Sequence, residues 1–75
     1  MKEIAPRIVV DPSIRHGRPV IAGTRVPVAT VVSHLAAGWN VERVGDEFGL
    51  TREDVLAALH YAARILDEEE VRAVG

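Results

Sequence analysis

Asn40-Val41-Glu42-Arg43-Val44-Gly45-Asp46-Glu47-Phe48-Gly49-Leu50-Thr51-Arg52-Glu53-Asp54-Val55-Leu56 carries the pattern of two helices joined by a tight turn. Val41, Val44 and Phe48 keep the spacing of one helix face, and Asn40 stands where its side-chain oxygen can cap the first unpaired amides. Gly49 breaks that helix. Thr51, followed three residues later by Asp54, forms a capping-box start for the next helix, with Asp54 a shorter substitute for the usual Glu. Helix, glycine turn with an inward apolar Leu50, helix: the arrangement fits a helix-turn-helix whose second helix presents Thr51, Arg52, Glu53, Val55 and Leu56 near its N-terminus. Short αα-hairpins without DNA function share this spacing, so geometry alone leaves both readings open.

On the N-terminal side, Val28, Val31, Val32 and Leu35 fall at i, i+3, i+4 and i+7, a helix stopped by Gly38, with Trp39 continuing the stripe. Before Pro27 the pattern is that of short strands and turns. Ile8-Val9-Val10 is a β-branched run ended by Asp11-Pro12-Ser13, and Val20-Ile21 and Arg25-Val26 flank Ala22-Gly23-Thr24 as a hairpin bracketed by Pro19 and Pro27. On the C-terminal side the third helix is expected to carry Val55, Leu56, Leu59, Ala62, Ala63 and Leu66 toward the core. It should end between Asp67 and Val74, because Asp67-Glu68-Glu69-Glu70 sets like charges against the negative end of the helix dipole. The expected architecture is a single, mainly α domain over residues 1–75. Short β strands and turns (4–27) precede a three-helix, helix-turn-helix core (28–66), and an acidic helix end or tail follows (67–75).

A chain of 75 residues buries only about 60% of the surface its unfolded form exposes, and three very short strands do not make a self-sufficient sheet. The strands need either the helices that follow or a second copy of the chain, and self-association is the expected remedy. The absence of cysteine removes disulfides and thiolate metal sites. Met1-Lys2-Glu3-Ile4-Ala5-Pro6 lacks the apolar run of a signal peptide or membrane span, so a cytoplasmic protein with no membrane contact is expected.

The net charge of −2 hides an asymmetry: residues 1–38 carry five basic and two acidic side chains, and residues 39–75 four basic and nine acidic, giving +3 against −5. Arg15, His16, Arg18 and Arg25 lie in loops and a hairpin from which long side chains can reach phosphate oxygens. Within residues 41–66 three arginines oppose five carboxylates, so DNA attraction must come from the basic strand region or from a dimer that pairs two such regions.

Catalysis finds no purchase. Gly17 and Gly23 have five residues between them where a phosphate loop needs four, and its lysine is absent. His16, His34 and His60 lack the i, i+4 pairing of a helical metal site, and His34 and His60 read as boundary residues with one wet edge. Ser13, Ser33, Thr24 and Tyr61 have no G-x-S-x-G elbow and no base placed beside them by local sequence. The expectation is a non-enzymatic protein with no cofactor, no metal and no small-molecule substrate.

Ile8-Val9-Val10-Asp11-Pro12, Gly17-Arg18-Pro19-Val20-Ile21-Ala22-Gly23-Thr24-Arg25-Val26-Pro27-Val28, Leu35-Ala36-Ala37-Gly38, Leu50-Thr51 and Val55-Leu56-Ala57-Ala58-Leu59-His60-Tyr61-Ala62 together resemble the family catalogued as domain of unknown function 433. The likeness covers about residues 7–66, with Gly-Thr-Arg-Val-Pro at 23–27 its most specific run. Trp39-Asn40 departs from the short polar cap expected there, although Asn40 still supplies one. The resemblance implies a VapB-like antitoxin with a homeodomain-like helical core: the non-catalytic member of a type II toxin–antitoxin pair, homodimeric, binding its own promoter DNA and a PIN-like nuclease toxin. Gly23, Thr24 and Arg25 correspond to the family's signature turn and read as structural.

Two readings follow. In the first the chain is a DNA-binding antitoxin, with Arg15, Arg18, Arg25, Thr51 and Arg52 as candidate DNA contacts. The tail Asp67, Glu68, Glu69, Glu70, Val71 and Val74, whose carboxylates interleave with valines, is then the candidate toxin contact. In the second it is a structural or interaction domain that self-associates through its N-terminal strands and binds no nucleic acid.

Overall fold

A three-stranded antiparallel sheet and three helices share one apolar core in the computed structural model, which describes residues 1–69. Strand β1 (Lys2–Ala5) pairs with β2 (Ile8–Val10), and β2 pairs with β3 (Val20–Ile21), in the order β1-β2-β3. Helices α1 (Val28–Ala36), α2 (Val41–Phe48) and α3 (Arg52–Glu68) follow. The expected fold class holds: mainly helical, with a small N-terminal sheet.

The strands pair within the chain. Ile8 lies opposite Ile21 and Val9 opposite Val20, and all four side chains are buried. The expected hairpin is realised in part: Ile21 N–H donates to the Val26 carbonyl at 3.0 Å and Val20 bridges Pro27, but Arg25-Val26 forms no regular strand. The ladder stops at that one bridge because Val26 N–H is taken by the Thr24 hydroxyl and Pro19, on the other side of the bridge, has no N–H to donate. Thr24 closes the turn, its hydroxyl donating to the Ile21 carbonyl at 2.8 Å and accepting from Val26 N–H at 3.0 Å.

Helix ends sit where local chemistry places them. Asn40 accepts from Arg43 N–H at 2.8 Å. Thr51 and Asp54 make the reciprocal capping box, at 3.0 and 3.1 Å. Gly49 takes φ +68°, which lets Leu50 N–H reach the Gly45 carbonyl at 2.9 Å and turns the Leu50 side chain into the core.

Ile8 and Ile21 from the sheet and Val28, Val31, Val44, Leu50, Val55 and Ala58 from the helical half make one buried cluster. This corrects the inward face assigned to α3. Val55 and Ala58 are fully buried, Leu56 and Leu59 are half-buried, and Ala63 and Leu66 face solvent, Leu66 at 66% exposure. The other elements cover only the first part of α3, so its last turns extend beyond the core while the apolar pattern of the sequence continues.

Candidate nucleic-acid interface

The charged candidates fall into two groups. Arg15, Arg18 and Arg25 gather beside β3. Arg15 Nε donates to the Arg25 carbonyl at 3.2 Å, and the Val20–Pro27 bridge draws the 18–20 and 25–27 segments together. Arg15, His16 and Gly17 form a short 3-10 turn in which all three residues have positive φ, +51°, +57° and +79°. Left-handed backbone at two consecutive residues bearing side chains is held by the turn's own hydrogen bonds, Gly17 N–H to the Ile14 carbonyl and Arg18 N–H to the Arg15 carbonyl, both 3.1 Å. The result is an exposed basic knuckle. Among the described residues, the Arg18 and Arg25 side chains have no hydrogen-bond or ion-pair partner.

Thr51 and Arg52 stand apart at the start of α3. The Thr51 hydroxyl is taken up by the capping box, and the Arg52 guanidinium pairs with Glu42 of α2 at 2.8 Å, both side chains well exposed. No hydrogen bond or ion pair among the described residues joins this group to the basic knuckle.

Sequence reasoning missed Arg7. It occupies the β1–β2 turn at φ +65° and pairs with Asp54 at 2.8 Å, tying the sheet to the first turn of α3. Burial pushes the Asp54 carboxyl up, but the Thr51 N–H, the Arg7 guanidinium and the Thr51 hydroxyl together outweigh it and hold its pKa below the ordinary aspartate value. Asp54 thus serves as cap and as anchor, and only the first role is local enough to read from the chain. Gly45 was also missed: a Cβ there would lie 2.7 Å from the Leu50 carbonyl oxygen, so α2 approaches the following turn as closely as glycine allows. A glycine inside a short helix was the available signal.

The aromatic residues brace the same helices. His34 donates from Nδ1 to the Thr30 carbonyl at 2.7 Å and meets Trp39 and Phe48 edge-on at 4.7 and 4.9 Å, while Arg43 lies 3.7 Å over the Trp39 ring. His34 is the boundary residue expected. Asp67, Glu68 and Glu69 of the candidate toxin contact are exposed at the end of α3; Glu70, Val71 and Val74 lie outside the described residues.

Comparison with known proteins places these features in context. Residues 8–62 match the model of the family described as protein of unknown function DUF433. A Mycobacterium tuberculosis protein named "Putative antitoxin VapB45" is 38% identical over 52 residues, which cover 69% of this chain and 22% of that protein. A Sinorhizobium fredii protein, "Uncharacterized protein y4eO", is 41% identical over 56 residues, covering 73% of this chain and 25% of its own length. The crystal structure of Rv2018 from M. tuberculosis superposes with a TM-score of 0.65 at 38% identity, over 69% of this chain and 24% of that one. The matched region therefore spans about a quarter of the length of these relatives.

Proposed function

The chain belongs to the DUF433 family, and from that membership we propose that it is the antitoxin component of a type II toxin–antitoxin pair: a non-enzymatic protein that binds DNA as a dimer and a PIN-like nuclease toxin. The observation that carries the reading is the relative named as an antitoxin, 38% identical over 52 residues that cover 69% of this chain. The α2–Gly49-Leu50–α3 unit acts as the helix-turn-helix, with the N-terminus of α3 directed to the DNA groove.

Charge decides how the contact is divided. The helical half is acidic, so phosphate attraction comes from Arg15, Arg18 and Arg25 on the basic knuckle and hairpin, while Thr51 and Arg52 face the duplex from α3. For Arg52 to reach DNA it must leave Glu42. That exchange is cheap, because an exposed ion pair of this kind contributes only about 0–1 kcal/mol. Asp67 to Glu69 and the residues after them present carboxylates to the basic surface of the toxin.

Fluorescence anisotropy with the DNA upstream of the gene against random DNA, over a salt series, tests the DNA half. The expected result is tighter binding to upstream DNA, with log affinity falling linearly with log salt and a shallower slope after Arg15 and Arg18 are neutralised. Arg52→Ala weakens binding. Equal affinity for both DNAs at low salt overturns the DNA half and favours the self-associating interaction domain, a reading supported by the Arg52–Glu42 pair. Co-purification of the neighbouring nuclease, lost on deleting residues 67–75, tests the toxin half.

A further inference from the structure

The last turns of α3 leave the core with their apolar side chains uncovered. Ile65 and Leu66 are 41% and 66% exposed, and they border a groove of about 440 Å³ between α1 and α3, floored by Val28, Ala29 and Val32. Arg18 stands at the rim of the same groove. Asp67 and Glu69 follow directly on Leu66, and among the described residues neither has an ion-pair partner, whereas Glu68 lies 3.8 Å from Arg64. One patch therefore holds a protruding apolar pair, a concave apolar floor, and a cation and carboxylates that have no partner among the described residues.

Such a patch complements itself. A two-fold axis through it would set Leu66 of each copy against the other's groove and each Arg18 against the other's Asp67 and Glu69. A partner with a uniformly basic surface would be repelled by Arg18, and one with an acidic surface by Asp67 and Glu69, so the mixed charge favours a second copy of this chain. The sheet offers a poorer route. β1 is four residues long, carries Lys2 and Glu3 and breaks register between Glu3 and Ala5, and β3 is already bridged on its outer side by Pro27. We infer that the α1–α3 groove and the Ile65–Leu66 ridge form an isologous homodimer interface, with Arg18 paired across the axis to Asp67 and Glu69. This rests on the dimer contained in the proposed function and refines its other contacts: with Arg18, Asp67 and Glu69 taken up at the seam, phosphate attraction falls to Arg15 and Arg25, and toxin contact to the tail carboxylates outside the seam.

Sedimentation equilibrium of the full chain, with circular dichroism to verify folding, tests the interface. The wild-type chain is expected to be dimeric at micromolar concentration, and Leu66→Glu to raise the dimer dissociation constant by roughly 30-fold or more, the effect of losing a central apolar anchor. Arg18→Glu should weaken the dimer, and adding Asp67→Arg and Glu69→Arg in the same chain should restore it, since every copy then carries the reversed pair. A monomeric wild type, a dimer indifferent to both Leu66→Glu and Arg18→Glu, or a dimer broken by Glu3→Pro but not by Leu66→Glu overturns the inference. So does Leu66→Glu abolishing capture of the nuclease while the dimer persists. Loss of DNA discrimination with the dimer and its charge-swap rescue intact counts against the proposed function alone.

Discussion

The basic N-terminal region, from β1 to Pro27, and the α2–α3 unit handle charge in opposite ways. In the first, short strands and a left-handed turn hold Arg18 and Arg25 outward without side-chain partners among the described residues, and Arg15 bonds only a carbonyl. In the second, regular capped helices take up their polar side chains internally: Thr51 in the cap, Asp54 in the cap and the Arg7 pair, Arg52 with Glu42. The helix that the spacing nominates for DNA is thus the more self-contained region, and the loops keep guanidiniums that have no protein partner among the described residues. Recognition of a polyanion is best sought where cations are not already neutralised.

This contrast concerns surfaces only, because the two regions share a core, and the largest predicted effect follows. Ile8→Ala removes a fully buried side chain in contact with the helical cluster and should cost about 2–5 kcal/mol. Urea unfolding followed by far-UV dichroism and by Trp39 fluorescence should shift together; separate transitions would break the picture of one cooperative unit.

Gly45→Ala sharpens it from the helical side. The new methyl meets the Leu50 carbonyl at 2.7 Å, and overpacking against backbone should cost about 1–3 kcal/mol despite alanine's better helix propensity. Full stability of the variant would show that the turn has room to move.

Next comes the cap. Thr51→Ala should destabilise by about 1 kcal/mol in the same assay. Because the native Asp54 pKa lies below its unfolded value, its contribution is complete above about pH 4 and is lost as pH falls through the lowered native pKa. Asp54→Asn should flatten that acid limb of the melting temperature against pH; an unchanged limb would place the acid sensitivity elsewhere.

The smallest effect distinguishes the two regions most directly. Arg52→Ala should alter stability by only about 0–1 kcal/mol, since its ion pair is exposed, while lowering DNA affinity. Arg18→Ala should likewise leave thermal stability of the monomer within about 0.5 kcal/mol. A large loss of stability from either would mean that the surface charge is structural.

Much of the helical half is legible from neighbours three or four residues apart. The bounds of α2, the Asn40 cap, the Thr51–Asp54 box and the Gly49 stop are all local hydrogen-bond chemistry, the positions of Val44 and Val55 in the core follow from helical spacing, and the inward Leu50 follows from the glycine turn. The charge asymmetry was likewise open to counting. Packing of the elements against one another settled that the strands pair within the chain, that Arg7 reaches Asp54 across 47 residues of sequence, and that Arg52 is held by Glu42. It also decided that Leu66 lies outside the core, because helical periodicity gives the direction of an apolar stripe but not how far along the helix a partner covers it. Contacts between elements depend on their relative placement, which no local spacing encodes.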